Sequence, residues 1–164
     1  KAGAIAQQAT GSAILIHPGR NDSAPFEILD VLKDSGADIS RVVIGHLDRT
    51  IFDEPTLLKL AEQGCNLEYD LFGWETSYYP LSNRDMITDA QRLEYIKFLV
   101  DEGYEEKIVV GQDIFAKYRL VTYGGLGYAH LIENIIPRMH DNGLSDDSIS
   151  SIFIENPKRI LTFV

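Results

Sequence analysis

Short, unbroken apolar runs alternate along the chain with longer stretches in which apolar residues recur every three or four positions. The runs read as strands covered on both faces, and the spaced stretches as helices with one apolar face. An Ala-rich start (Ala2, Ala4, Ile5, Ala6, Ala9) reads as a helix stopped at Thr10 and Gly11. The first strand, Ala13 to Ile16, ends at His17 and passes directly into Pro18 and Gly19. Phe26, Ile28, Leu29 and Leu32 mark a helix that stops at Gly36, and a second strand, Val42 to Ile44, ends at Gly45 and His46. Asp53 and Pro55 can cap and open a helix carrying Leu57, Leu58, Leu60 and Ala61, ended by Gly64 before a third strand, Cys65 to Tyr69. Thr88 and Gln91 have capping-box spacing ahead of Leu93, Ile96, Leu99 and Val100, and Gly103 closes that helix. A fourth strand, Ile108 to Val110, leads to Gly111, Gln112 and Asp113.

Beyond it the pattern predicts a long loop from Ile114 to Gly127, helical segments around His130 to Met139 and Ser145 to Phe153, and a last short helix capped by Asn156 ahead of Pro157. Strands alternating with amphipathic helices imply a parallel sheet with helical crossovers, either open and doubly wound or part of a closed barrel. His17, His46 and Asp113 each stand at the C-terminal end of a strand, where catalytic residues of a barrel converge. No Gly-rich phosphate loop follows the first strand, as an open dinucleotide-binding sheet would favour. Four strands are half of a (β/α)8 TIM barrel, and a whole one takes about 250 residues. The 164 residues are therefore expected to form a single incomplete barrel domain, 1–164. A helix already under way at Lys1, with no initiator methionine, reads as a sequence continuing upstream.

Composition narrows the partners. A net charge of -10 leaves no basic stripe to follow a phosphate backbone, which argues against nucleic acid. No apolar run has the length of a membrane span, and no charged segment with an apolar core opens the chain. Cys65, the single cysteine, has no partner in the chain and sits in an apolar stretch. It reads as a small buried core residue that suits a reducing compartment or a disulfide-free fold, and the expected location is cytoplasmic.

A neutral imidazole is a good ligand for zinc and similar metals, and a carboxylate can bind a metal or take a proton from water. Two histidines and an aspartate at three strand ends have that chemistry. Each also has a plainer reading: a histidine hydrogen-bonded before a turn, a His46 loop anchored by ion pairs of Asp48 and Arg49, an Asp113 that caps its turn. Their shared position at strand ends is what favours a metal site.

The segments Leu15 to Asn21 (LIHPGRN), Gly45 to Thr50 (GHLDRT), Glu68 to Gly73 (EYDLFG), Tyr123 to Tyr128 (YGGLGY) and Glu133 to Met139 (ENIIPRM), in this order, resemble the phosphotriesterase-related proteins of the amidohydrolase superfamily. The resemblance runs to the closing Asn156 and Pro157 and identifies the chain with the C-terminal half of that fold, about strands five to eight with their helices. It implies a site with two divalent metals, usually zinc, bridged by hydroxide. By position, His17 and His46 would hold one metal and Asp113 the other, and Asp113 would take the proton as the hydroxide attacks. The other ligands the family uses, an His-x-His pair and a carboxylated lysine, would lie before residue 1. Two positions depart from the family pattern: Gln112 stands where a histidine is common, and Leu126 interrupts the glycine loop.

For substrate binding the sequence offers Arg20, Tyr69, Asp70 and Trp74, with Phe72, Lys117 and Arg119 beside them, all in or next to strand-end loops. Arg20 could meet an anionic group, or could simply pair with Asp48 or Asp70, as could Arg119. The expected partner is a small molecule, and a homodimer is left open. The resemblance implies hydrolysis of an amide, ester, lactone or phosphotriester, with a small N-acyl amine such as an acyl taurine preferred. The competing reading is a non-catalytic truncated fragment, because two histidines and one aspartate shared between two metals leave each under-coordinated.

Overall fold

Four short strands, β1 (Ile14–Ile16), β2 (Val42–Ile44), β3 (Asn66–Tyr69) and β4 (Ile108–Val110), form one parallel sheet in chain order. Ile14 pairs with Val42, Val43 with Asn66, and Leu67 with Ile108. The structure is a computed structural model, and it describes residues 1–163. Helix α1 (Ala2–Thr10) precedes the sheet, and α2 (Ala24–Asp34), α3 (Glu54–Ala61) and α4 (Asp89–Asp101) occupy the three crossovers. A doubly wound sheet reverses its strand order at a switch point. This order never reverses, as in consecutive strands of a (β/α)8 barrel.

The starts of α3 and α4 follow from their caps. Asp53 Oδ1 accepts the Thr56 amide at 2.9 Å at the head of α3. At α4 both capping-box bonds form: Thr88 Oγ1 accepts from Gln91 N at 3.2 Å, and Gln91 Oε1 from Thr88 N at 2.9 Å. The C-terminal region is more continuous than its sequence suggests. Helix α5 (Ile136–Asp141) runs on from a π-helical turn, Leu131–Ile135, and α6 (Asp146–Ser150) passes through another, Ser151–Glu155, into α7 (Asn156–Leu161). Asn156 therefore caps no separate helix. Its buried side chain donates to the carbonyls of Glu105 and Ile108, both at 2.8 Å, and ties α7 to the start of β4.

Strand alternation divides the sheet into two faces. Ile14, Ile16, Val42, Ile44, Leu67, Tyr69, Ile108 and Val110 pack with Leu29, Leu57, Leu60, Leu93, Ile96 and Leu99 of the crossover helices. The crossover helices thus lie on one side, as in a barrel wall. Residues of the other parity, Leu15, Val43, Glu68 and Val109, line an apolar cavity of about 420 Å³ with Ile160 and Phe163. Leu15 is 67% exposed there. Cys65 is buried in the core, as its sequence context predicts. No helix among the described residues is long and apolar enough to cross a membrane.

Candidate active site

The face opposite the crossover helices leads at its C-terminal edge to His17, Asp70 and Asp113, which continue the parity of Leu15, Glu68 and Val109. His17, His46, Glu68, Asp70 and Asp113 line one cavity of about 370 Å³. His17, His46 and Asp113 also line a neighbouring one of about 230 Å³, walled by Arg20, Arg49, Trp74 and Tyr79. All three residues expected as metal ligands therefore share one concave surface.

His46 reaches it by a different route. Alternation alone would put residue 46 on the helix side with Val42 and Ile44. Instead His46 adopts φ 55°, and Asp113 φ 42°; among the described residues these are the two non-glycine positions with positive φ. A left-handed backbone at a side-chain-bearing residue costs about 1–2 kcal/mol, and such strain concentrates at functional sites. With the chain turned in this way, His46 Nε2 meets His17 Nδ1 at 2.7 Å.

A chain of hydrogen bonds runs through the pair. Arg49 Nη2 donates to His17 Nε2 at 3.0 Å. Asp70 Oδ1 accepts both the backbone N–H of His46, at 3.0 Å, and its ring Nδ1, at 2.9 Å. Because a carboxylate holds the Nδ1 proton, the His46 Nε2 lone pair points at His17. Burial lowers the pKa of His46, with Arg49 acting in the same direction. For His17, partial burial comes first, followed by His46 and the Arg49 and Arg20 charges. These effects favour the neutral ring, the form that ligates metal. Burial raises Glu68 and Asp70 above the usual carboxylate range, and each is pushed further by nearby carboxylates.

Asp70 is itself held in place. Asp48, fully buried, accepts the Asp70 amide at 2.9 Å through Oδ2 and the Arg92 Nε through Oδ1. Arg92 Nη1 donates to Asp89 at 2.8 Å, and the other Asp89 oxygen bonds His130 Nε2 at 2.6 Å. A glycine just past the end of each flanking strand leaves room for the acidic pair. A Cβ at Gly45 would stand 2.9 Å from Glu68 Oε2, and one at Gly111 would stand 3.1 Å from Asp70 Cβ.

The other sequence-selected residues divide. Trp74 walls the smaller cavity, edge-on to Tyr79 and Phe115. Arg20 lies at its rim and donates from Nε to Tyr79 Oη at 2.8 Å, not to Asp48 or Asp70. Tyr69 requires a correction as a substrate-binding residue. It is fully buried on the helix side, stacked on Tyr95 with ring centres 6.2 Å apart, because strand alternation turns it away from its neighbours Glu68 and Asp70. Phe72 is core as well, and Arg119 donates to the carbonyls of Phe72 and Gln112 at 2.9 and 2.8 Å, pairing with no carboxylate. Gln112 also donates to the Gly127 carbonyl at 2.6 Å, so it fastens the glycine loop. Arg49, which the sequence offers only as an ion-pairing anchor of the His46 loop, instead bonds His17 and lines the smaller cavity. Its place three residues after His46 in a strand-end loop was the available signal.

The donor set fits a divalent metal in part. Two imidazole nitrogens face one another, and carboxylates lie on the same surface, which suits zinc or a similar ion. No group of three His, Cys, Asp or Glu side chains forms a ready metal shell among the described residues.

Comparison with known proteins places this geometry in context. Residues 1–161 match the model of the phosphotriesterase family. A protein named N-acetyltaurine hydrolase from Dictyostelium discoideum is 56% identical over 164 residues, which are 99% of this chain and 44% of that protein. The Mus musculus protein of the same name is 52% identical, with 99% and 47% covered. Among solved structures, a resiniferatoxin-binding protein from Rhodobacter sphaeroides superposes with a TM-score of 0.89 at 30% identity, over 96% of this chain and 44% of that one. The phosphotriesterase homology protein from Escherichia coli, complexed with phosphate in its active site, gives 0.83 at 28% identity over 98% and 52%. These neighbours are TIM-barrel proteins. The chain spans about half the length of the relatives it matches.

Proposed function

The chain belongs to the phosphotriesterase family, and from that premise we propose that the protein carrying it is a divalent-metal-dependent hydrolase of small acyl amines bearing an acidic group, with N-acetyltaurine as reference substrate. The observation that carries this reading is the facing pair of His17 Nδ1 and His46 Nε2, 2.7 Å apart, with Asp113 on the same cavity surface. The two histidines would hold one metal and Asp113 a second. When bound, such metals lower the pKa of water and polarise a carbonyl or phosphoryl oxygen.

The remaining steps belong to the chain itself. Asp70 keeps His46 in the tautomer whose Nε2 is free to ligate. Asp113 accepts the proton released as water attacks the acyl carbon, the work of a positioned general base. Arg20 offers a counter-charge to the acidic end of the substrate, and Trp74 with Tyr79 supplies an apolar wall that keeps water off the acyl group. The names of the relatives from Dictyostelium discoideum and Mus musculus support an amide over an ester, lactone or phosphotriester.

The test is to load the full-length protein with zinc and measure release of taurine from N-acetyltaurine. His46→Ala and Asp113→Ala should each lower kcat/KM by at least about a hundredfold, with unchanged circular dichroism. Near wild-type turnover in either variant would overturn the assignment.

A second reading applies to a polypeptide limited to these residues. No three ligating side chains gather among those described, whereas a catalytic zinc normally has three protein ligands. Such a chain would be non-catalytic and hold metal weakly. Metal analysis after dialysis distinguishes the two, since a stoichiometric, tightly held ion would contradict the second reading.

A further inference from the structure

We propose that Arg49 is the principal anion-binding residue of this site, taking the sulfonate or carboxylate of the substrate at the end remote from the scissile bond. The inference rests on the hydrolase reading above and names the group that would select its substrate.

Arg49 is 3% exposed, and its Nη1 is buried with no hydrogen-bond partner among the described residues. A guanidinium stays protonated in proteins, and a buried cation normally has a carboxylate beside it. Arg92 in the same region follows that rule, held by both Asp48 and Asp89. Among the described residues Arg49 forms no ion pair: Nη2 donates to His17 Nε2 at 3.0 Å and to the Pro18 carbonyl at 3.3 Å. It therefore lines the smaller cavity with unspent donor capacity. Arg20, also on that cavity, has spent its Nε on Tyr79. The two cations stand against walls of Leu71, Trp74 and Phe115. An anion with an apolar stem matches that surface, and a planar guanidinium binds an oxyanion through two donors.

The contact with His17 sharpens the argument. It requires His17 Nε2 to be an acceptor. A neutral ring that ligates through Nδ1 carries its proton on Nε2, which would set donor against donor across 3.0 Å. Occupation of the histidine pair would thus free a second Arg49 donor for the anion. The anion subsite and the histidine pair are coupled through one ring.

Calorimetry on the full-length protein, with ethanesulfonate and propionate as probes and ethyl methyl sulfone as the neutral control, tests the proposal without turnover. The two anions should bind and the sulfone should not, with binding stronger after zinc loading. Which anion binds more tightly identifies the acid group preferred. Arg49→Gln should weaken anion binding at least about tenfold, the scale of one lost hydrogen bond to a charged group. Arg49→Lys should recover part of it. In assays, Arg49→Gln should raise KM for N-acetyltaurine about tenfold, and its loss in kcat/KM should be at least about tenfold larger for N-acetyltaurine than for neutral N-acetylpropylamine.

Equal binding of the sulfone and the anions by unmodified protein would overturn the proposal even if the variants failed to fold. So would equal losses on charged and neutral substrates together with lost zinc, which would make Arg49 a support for His17 alone. If no acyl amine is hydrolysed at all, yet ethanesulfonate binding depends on Arg49, the subsite stands and the hydrolase reading fails.

Discussion

Asp70 grips His46 twice: one oxygen, Oδ1, accepts the backbone N–H at 3.0 Å and the ring Nδ1 at 2.9 Å. A single carboxylate thereby stabilises the left-handed backbone at residue 46 and fixes the ring tautomer. Asp70→Asn keeps the shape but can offer only a neutral acceptor, or an amide donor facing Nδ1. In the full-length protein it should lower metal affinity about 10–100-fold, the usual cost of losing a partner behind a ligating histidine. Competition with a chelator measures this, and affinity within twofold of wild type would show that the grip has no role in ligation.

Arg92 should be among the costliest residues to remove. Its side chain is fully buried between Asp48 and Asp89. Truncation leaves two buried carboxylates uncompensated, and breaking such a pair costs about 3–5 kcal/mol. Arg92→Ala should shift the denaturant midpoint accordingly. A loss under about 1 kcal/mol would mean that the network relaxes or is hydrated.

Gly45→Ala should damage the site through crowding. The added Cβ would meet Glu68 Oε2 at 2.9 Å, Asp70 Oδ2 at 3.1 Å and the Ile16 carbonyl at 3.1 Å, and the last of these is backbone. Overpacking of this kind costs about 1–3 kcal/mol. Metal affinity should fall with stability, because Asp70 is among the groups displaced. Wild-type metal affinity in the variant would contradict the role assigned to Asp70.

Cys65 gives a pH test away from the site. Burial raises its thiol from 9.0 to about 12. Below pH 9 both folded and unfolded states are protonated, and the thiol adds no pH dependence. From pH 9 to about 12 the unfolded state loses the proton first, so stability falls as pH rises. Between pH 8 and pH 10 the wild type should lose about 1 kcal/mol more than Cys65→Ala, which cancels the other titrating groups. Iodoacetamide should leave the folded thiol unmodified at pH 8. Rapid alkylation there would mean that the strand opens locally.

The strands and crossover helices were legible because apolar runs, caps and terminal glycines are local signals. His17 and Asp113 were legible for the same reason, since a strand end and its parity place them. Tyr69 was misread although the alternation that puts Glu68 and Asp70 on the concave face also turns position 69 to the helices. His46 depends on a left-handed backbone that apolar spacing does not encode. The sequence offers Arg49 only as an ion-pairing loop anchor, because an arginine is ordinarily a surface charge, and only burial with an unpartnered nitrogen marks it for another role. The partner of Asp48 was illegible too: Arg92 lies 44 positions further along the chain.

The central claim is that His17 and His46 jointly hold a metal. Crystals of the full-length protein, grown with zinc and measured on both sides of the zinc absorption edge, test it most directly. The expected result is an anomalous peak bonded to His17 Nδ1 and His46 Nε2, with Asp113 on the same cavity wall. Full hydrolytic activity in a zinc-loaded crystal whose anomalous peaks all lie away from those two nitrogens would contradict it.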